Sequence, residues 1–276
     1  MYRFTFTFLI LAITLNIICG EKHHPHLHKE VVIVDYHGPT NKHLFSLFKK
    51  AEVLEVYNST LTSSPSHLYS LLPHLRKVHV ENNTYEDVDY DTVLHGANAL
   101  EEFYCINIKI PKIHLEVLRI LPRLKICVVR GLNNPYPIIK DNSLNETQLE
   151  IFEFSKNGLE TVEDLAFNGL SKLKELNLAD NKLRSVPKEA LVPLQNLEIL
   201  NLAGNQIKTF TKESLPKLDK LQKLDLSRNP LTQFTIDGIG GVAPKLTTLI
   251  VTGTPLPEAE LKTIKEKLNV QIIDQA

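Results

Sequence analysis

The chain has 276 residues, 43% of them hydrophobic and 23% charged, a composition that supports one large folded domain or two small ones. Lys and Arg number 31 against 32 Asp and Glu, so no global positive field exists to hold nucleic acid or an anionic membrane. With no Trp, one Met, three Cys and 11 Gly, the chain is neither collagen-like, disulfide-dense nor disordered, and its core must be aliphatic.

Arg3 precedes an apolar run over 4–18 that ends in Cys19 and Gly20 before the polar Glu21. That order predicts a signal peptide over 1–20, cleaved after Gly20, with a signal anchor as the alternative. The run is shorter than a membrane helix needs, and no second stretch of spanning length follows. The expected mature protein, 21–276, is secreted and extracellular, without membrane insertion. Residues 21–50 are expected to form a histidine-rich leader (His23, His24, His26, His28) and then a capping strand at the aliphatic 31–34.

From residue 51 onward the chain repeats itself. Leu173, Leu176, Leu178, Asn181 and Leu183 recur as Leu197, Leu200, Leu202, Asn205 and Ile207, then as Leu221, Leu224, Leu226, Asn229 and Leu231, the pattern LxxLxLxxNxL. A further copy opens at Leu246, with Thr254 in place of the asparagine. The same step runs backwards, giving starts at 51, 75, 100, 124, 149, 173, 197, 221 and 246, spaced 24 or 25 apart. Earlier copies lose the asparagine at Ser59, Ile108 and Leu132, which bears on their loop geometry.

Within each copy, positions 4 and 6 lie on one face of a short strand and position 5 on the other. The asparagine amide can satisfy backbone groups of neighbouring loops, and a second apolar set, such as Phe167 with Leu170 or Leu191 with Leu194, brings the chain back. No copy buries its own apolar face, so stacking is obligatory. The expected fold is an α/β leucine-rich-repeat solenoid of about nine repeats over 51–256, curved, with a parallel sheet on its concave side. Residues 257–276 read as a C-terminal cap, a helix with apolar positions 261, 264 and 268 followed by a strand over 269–273.

These repeats resemble those of the extracellular leucine-rich-repeat family, animal secreted type, over roughly 51–257. The composition is most similar to insect secreted members such as the mosquito leucine-rich immune proteins, whose cysteine motifs and coiled coil this chain lacks. The resemblance implies a binding scaffold that recognises a protein or surface-glycan ligand on its concave face, with a role in innate immunity.

Catalytic signatures are lacking: there is no GxSxG, no HExxH and no phosphate-binding glycine loop, so neither an enzyme nor a cofactor is expected. Asp87, Asp89 and Asp91 begin like a calcium loop, but Thr92 and Asn98 stand where the turn glycine and bidentate glutamate belong. Cleavage after Gly20 would place His23 third from a free amine, a nitrogen set for Cu(II) or Ni(II), and metal capture is the alternative function. Sequons at Asn58, Asn82 and Asn145 are candidate glycosylation sites. Cys105 and Cys127 fall on inward positions of adjacent strands in a diagonal relation too wide for a disulfide, and are read as free buried thiols, with a bridge as the alternative.

Outward positions 3, 5 and 7 place Glu102, Tyr104, Ile106, Ile126, Val128, Arg130, Ile151 and Glu153 on adjacent strands. An exposed apolar patch rimmed by charge predicts a partner site, filled by a foreign ligand or by a second copy of the chain.

Overall fold

A computed structural model describes residues 16–18, 29–39, 42–46, 48–62, 67–86, 90–110, 114–133, 135–235, 237–257, 261–262, 266 and 271–273. The chain forms two compact units, Met1–Asn134 and Pro135–Ala276. In the first unit the strands are β1 (Asn16–Ile18), β2 (Glu30–Val34), β3 (His37–Gly38), β4 (Val53–Tyr57), β5 (Thr60–Leu61), β6 (Lys77–Glu81), β7 (Thr84–Tyr85), β8 (Glu102–Ile106) and β9 (Ile126–Arg130). The second has β10 (Ile138–Ile139), β11 (Ile151–Ser155), β12 (Thr161–Val162), β13 (Glu175–Asn177), β14 (Ile199–Asn201), β15 (Thr209–Phe210), β16 (Lys223–Asp225), β17 (Gln233–Phe234), β18 (Thr248–Ile250) and β19 (Gln271–Ile273).

Strands β2, β4, β6, β8 and β9 pair in parallel, in that order, each one repeat on from the last. Their register aligns Val31, Leu54, Val78, Phe103 and Cys127 in one inward row and Ile33, Val56, Val80, Cys105 and Val129 in the next. All ten are buried, none more than 3% exposed. Period-two alternation therefore delivers every position 4 and 6 to the core. Cys105 pairs with Val129 and Cys127 with Phe103, so the cysteines are diagonal neighbours and both thiols are free. Burial pushes the Cys105 thiol up to about 12 and raises that of Cys127 as well, which leaves both as inert apolar filling.

After each strand the backbone turns left-handed at position 8: Asp35, Asn58, Asn82, Asn107 and Gly131 have φ of 53°, 50°, 55°, 52° and 67°. Asn, Asp and Gly tolerate this region best. The turn lets Asn58 N–H donate to Glu81 O and Asn107 N–H to Arg130 O, extending the ladder by one rung. Position 9 then satisfies the loop from inside. Asn83 Oδ1 accepts from Ser59 N–H at 2.7 Å while its amide donates to Val56 O at 2.8 Å, and Ser59 Oγ in turn accepts from Tyr36 N–H. Ile108 and Leu132 replace the asparagine without altering the turn, because backbone bonds from Lys109 N–H to Asn83 O and from Asn133 N–H to Ile108 O link those loops. Both side chains are buried instead.

Segment 30–36 is more than a covering strand. It shows the same inward pair, the same left-handed residue and the same loop bond as the repeats that follow it. Asn16–Ile18, which falls in the expected signal peptide, pairs antiparallel with β2. The leader histidines at 23, 24, 26 and 28 and the acidic residues 87 and 89 lie outside the described residues.

The second unit carries the regular repeats: β11, β13, β14, β16, β18 and β19 pair in parallel in that order. Asn205 shows how a repeat is closed. Its amide donates to Leu178 O and Leu202 O, both at 3.0 Å, and its Oδ1 accepts from Leu183 N–H at 3.0 Å. Asn181 and Asn229 repeat the arrangement one step to either side. Thr254 is too short to reach back to the preceding repeat, and its hydroxyl donates to Val251 O in its own loop. Of the C-terminal cap, Leu261 and Lys262 are helical and β19 pairs with β18, while 264, 268 and 270 lie outside the described residues.

A ladder at position 2 joins repeats on the surface. In the first unit Lys29, Glu52, Arg76, Glu101 and Lys125 run along successive turns, with Lys29–Glu52, Arg76–Glu101 and Lys125–Glu101 pairs at 2.8, 3.0 and 3.1 Å. The Lys125 hydrogen bond holds the Glu101 carboxyl below its ordinary range. Such exposed pairs specify register more than they stabilise.

Asn205→Ala leaves the buried Leu183 N–H without its partner and removes one of the two amide bonds at each of Leu178 O and Leu202 O, which keep Asn181 and Asn229, so a loss of about 1–3 kcal/mol is expected. Native-state hydrogen exchange should report it as lost protection at the Leu183 amide, and unchanged protection there would refute this role for the asparagine.

Candidate binding face

The alternation that buries positions 4 and 6 turns positions 3, 5 and 7 to the open face of the sheet. In the first unit the register sets them in three rows. Position 3 holds Glu30, Val53, Lys77, Glu102 and Ile126; position 5 holds Val32, Glu55, His79, Tyr104 and Val128; position 7 holds Val34, Tyr57, Glu81, Ile106 and Arg130.

At the centre of this grid three rings form a continuous ladder. Tyr57 and His79 have centroids 5.3 Å apart at 49°, and His79 stacks on Tyr104 at 5.5 Å and 22°. Each ring also meets a carboxylate two residues away on its own strand. Tyr57 Oη donates to Glu55 Oε2 at 3.0 Å, Tyr104 Oη donates to Glu102 Oε2 at 3.1 Å, and His79 Nε2 lies 3.2 Å from Glu81 Oε2. A residue and its i+2 neighbour share a face, so these pairings follow from strand geometry. Lys77 completes the cluster, its Nζ 3.5 Å from Glu55 Oε1 and 5.5 Å from the Tyr104 centroid.

Electrostatics keep the phenols as donors. Burial, then the hydrogen bond to and charge of Glu55, pushes Tyr57 up to about 12, and burial followed by Glu102 raises Tyr104. His79 stacks on Tyr104, and the Lys77 ammonium also lies over the Tyr104 ring. The cluster holds three carboxylates, Glu55, Glu81 and Glu102, and that chemistry suits a ligand rich in hydrogen-bond donors.

Glu102, Tyr104, Ile106, Ile126, Val128 and Arg130 therefore stand together on β8 and β9, while Ile151 and Glu153 begin the sheet of the second unit. The apolar patch itself needs correction. Ile106, Ile126 and Ile151 are half-buried, and the exposed large hydrophobics among the described residues are Ile120, Leu165 and Val192. Val128 is only 7% exposed. Its short side chain lies between Ile126 and Arg130 on its strand and beside Tyr104 on the next. The sequence did not single out Tyr57, Glu55, Lys77 and His79, although positions 3, 5 and 7 of the first two repeats contain them.

The open face of the second unit is chemically quieter. Asn177, Asn201 and Asp225 turn their side-chain oxygens back to the N–H of Ala179, Ala203 and Ser227 at 3.0, 3.0 and 2.9 Å, and Glu153 takes the Ser155 hydroxyl at 2.6 Å. At its edge Arg228 Nη1 meets Asp180 Oδ1 at 2.6 Å across Gly204, where a Cβ would collide with the carboxylate.

Asn58 and Asn82 are exposed at the left-handed position 8 of successive repeats. Asn145 is half-buried, its Oδ1 is enclosed without a hydrogen bond, and Thr147 of its sequon is buried with its hydroxyl donated to Leu144 O. His23 lies outside the described residues, and among those described no group of three or more His, Cys, Asp or Glu side chains converges on a metal position. No helix among the described residues is long and apolar enough to cross a membrane.

The leucine rich repeat family model matches residues 147–207, 178–231 and 196–256. No curated protein matches the chain in sequence. Among solved structures, a chain of the TLR13–ssRNA13 complex superposes with a TM-score of 0.66 over 87% of this chain at 20% identity, and this chain spans 38% of that one. A chain of the octameric complex of Latrophilin 3, Unc5D and FLRT2 (LRR) superposes with a TM-score of 0.57 at 16% identity, over 82% of this chain and 84% of that one. Likeness at such identities establishes the fold alone. The parallel strands, the asparagine-closed loops and these matches together make the chain a leucine-rich-repeat solenoid, with its regular repeats over 147–256.

Proposed function

We propose that the chain is a secreted binding protein without catalytic activity, acting in the extracellular fluid and in innate immunity, whose open sheet face in the first unit recognises a protein ligand. The observation that carries this reading is the Tyr57–His79–Tyr104 ladder with its carboxylates. Half-buried aromatic rings held in place by neighbours are the residues that most often anchor protein interfaces. Two of the structural neighbours come from complexes, one with ssRNA13 and one with other proteins. A chain of net charge −1 whose open face bears Glu30, Glu55, Glu81 and Glu102 lacks the basic surface RNA requires, which favours the protein class.

Affinity capture from the extracellular fluid of the source, with the intact mature protein as bait, tests the reading. Tyr104→Ala should lose the captured partner by tenfold or more, about the effect of removing an interface anchor, while the melting temperature stays close to that of the parent. Partner yield unchanged by Tyr104→Ala, or capture that survives only on the second unit's face, contradicts it. Capture of the chain itself would identify the partner as a second copy.

The same reading assigns N-glycans to Asn58 and Asn82, which are exposed at the strand ends, and none to Asn145. Sugars there border the face at β4 and β6 and leave β8 and β9 open. After expression in a secreting eukaryotic host, enzymatic deglycosylation should lower the mass of the parent but not that of Asn58→Gln/Asn82→Gln. A glycan persisting in the double variant would place it at Asn145 and overturn the assignment.

A further inference from the structure

Lys77 shows where a cation sits on the open face. Its ammonium lies between Glu55 Oε1, at 3.5 Å, and the Tyr104 ring, 5.5 Å from the centroid. Glu102 stands directly opposite it on β8. Neither contact is tight, and the lysine side chain is 34% exposed against 18% for Glu55. The carboxylate is thus fixed by Tyr57 and the surrounding strand, whereas the ammonium is a lightly held occupant on a flexible stem.

Charge along the same rows is unbalanced. The outward positions of β2, β4, β6, β8 and β9 hold four carboxylates, Glu30, Glu55, Glu81 and Glu102, against Lys77 and Arg130. With Lys77 swung away, the place its ammonium held is bordered by Glu55 and by the Tyr104 ring, whose hydroxyl is already committed as a donor to Glu102. Carboxylates flanking an aromatic ring accept a forked guanidinium better than any other side chain, since it can bond both acids while lying on the ring.

Resting on the reading of this face as a protein-binding surface, we propose that Glu55, Tyr104 and Glu102 form a subsite for an arginine side chain of the partner, and that Lys77 is its internal occupant in the free protein. The partner's guanidinium displaces the Lys77 ammonium on binding. Lys77 therefore sets the threshold of recognition: a single basic side chain must outcompete an ammonium already present, which selects segments rich in arginine over isolated basic residues.

The test uses the full mature chain and a fluorescein-labelled tetra-arginine peptide, with tetra-glutamate as the control for dye binding. Lys77→Met should tighten tetra-arginine binding by about three- to tenfold, while Lys109→Met, which removes the same charge from an exposed position on the other side of the turn, should leave it within about twofold. Glu55→Gln/Glu102→Gln, which keeps oxygen acceptors for both tyrosine hydroxyls, should weaken binding by about tenfold or more. Equal gains from Lys77→Met and Lys109→Met would reduce the effect to net charge and overturn the subsite, as would unchanged binding to the double glutamine variant. In the capture assay, a partner lost by Tyr104→Ala but kept by the double glutamine variant overturns the arginine subsite alone. A partner kept by both overturns the face as well.

Discussion

A repeat of 24 or 25 residues cannot enclose its own aliphatic side chains, and every other feature of the molecule answers to that constraint. Strands of three to five residues are too short to stand alone, so they pair with the strands of adjacent repeats, and each repeat contributes an inward residue to each of two shared rows. A left-handed residue at position 8 turns the chain after the strand in each repeat. The buried position 9 then ties the loop to the repeat before it, by asparagine where one is present and by backbone and apolar burial where Ile108 or Leu132 replaces it. Asparagine is thus one means of closing the loop among several. The left-handed turn is the part that every repeat keeps.

Alternation along those strands also decides what the open face can display. Two of every five strand residues in the first unit go to the core, and the remaining three are left to carry chemistry. In the second unit much of that allowance is spent on local order, with Asn177, Asn201 and Asp225 bonded to their own backbone and Ala179 and Ala203 beside them. The first unit spends it on rings and acids. Tyr57 and Tyr104 stand in repeats that lack the asparagine, with Ser59 and Ile108 in its place, whereas His79 stands in a repeat that keeps it as Asn83.

Much of the architecture was legible in the sequence because the hydrophobic period is a direct image of burial. The starts from 51 to 246, the inward pairs and the diagonal relation of Cys105 to Cys127 all follow from counting. The segment 30–36 is harder to recognise as a repeat, since His28 stands where the first residue of the repeat belongs and nothing aliphatic marks the start. The Tyr57 end of the aromatic ladder escaped for a geometric reason. Tyr57 stands at position 7 and His79 at position 5, so that contact runs diagonally across strands, whereas His79 and Tyr104 lie side by side at position 5 and follow from the register alone. Burial of Val128 escaped because outward direction and exposure are different properties, and a short side chain among longer neighbours loses its solvent even on an open face. The alternating charges at position 2 needed only the knowledge that successive repeats lie side by side.

The central claim is that strand register in the first unit gathers Tyr57, His79 and Tyr104 into one stack. Nuclear Overhauser contacts between their ring protons, in protein selectively labelled at tyrosine and histidine, measure that directly. The account predicts contacts from His79 to both Tyr57 and Tyr104, as centroid separations of 5.3 and 5.5 Å require. A His79 ring in contact with neither tyrosine would mean that the outward rows are in a different register, and the binding face described above would not exist.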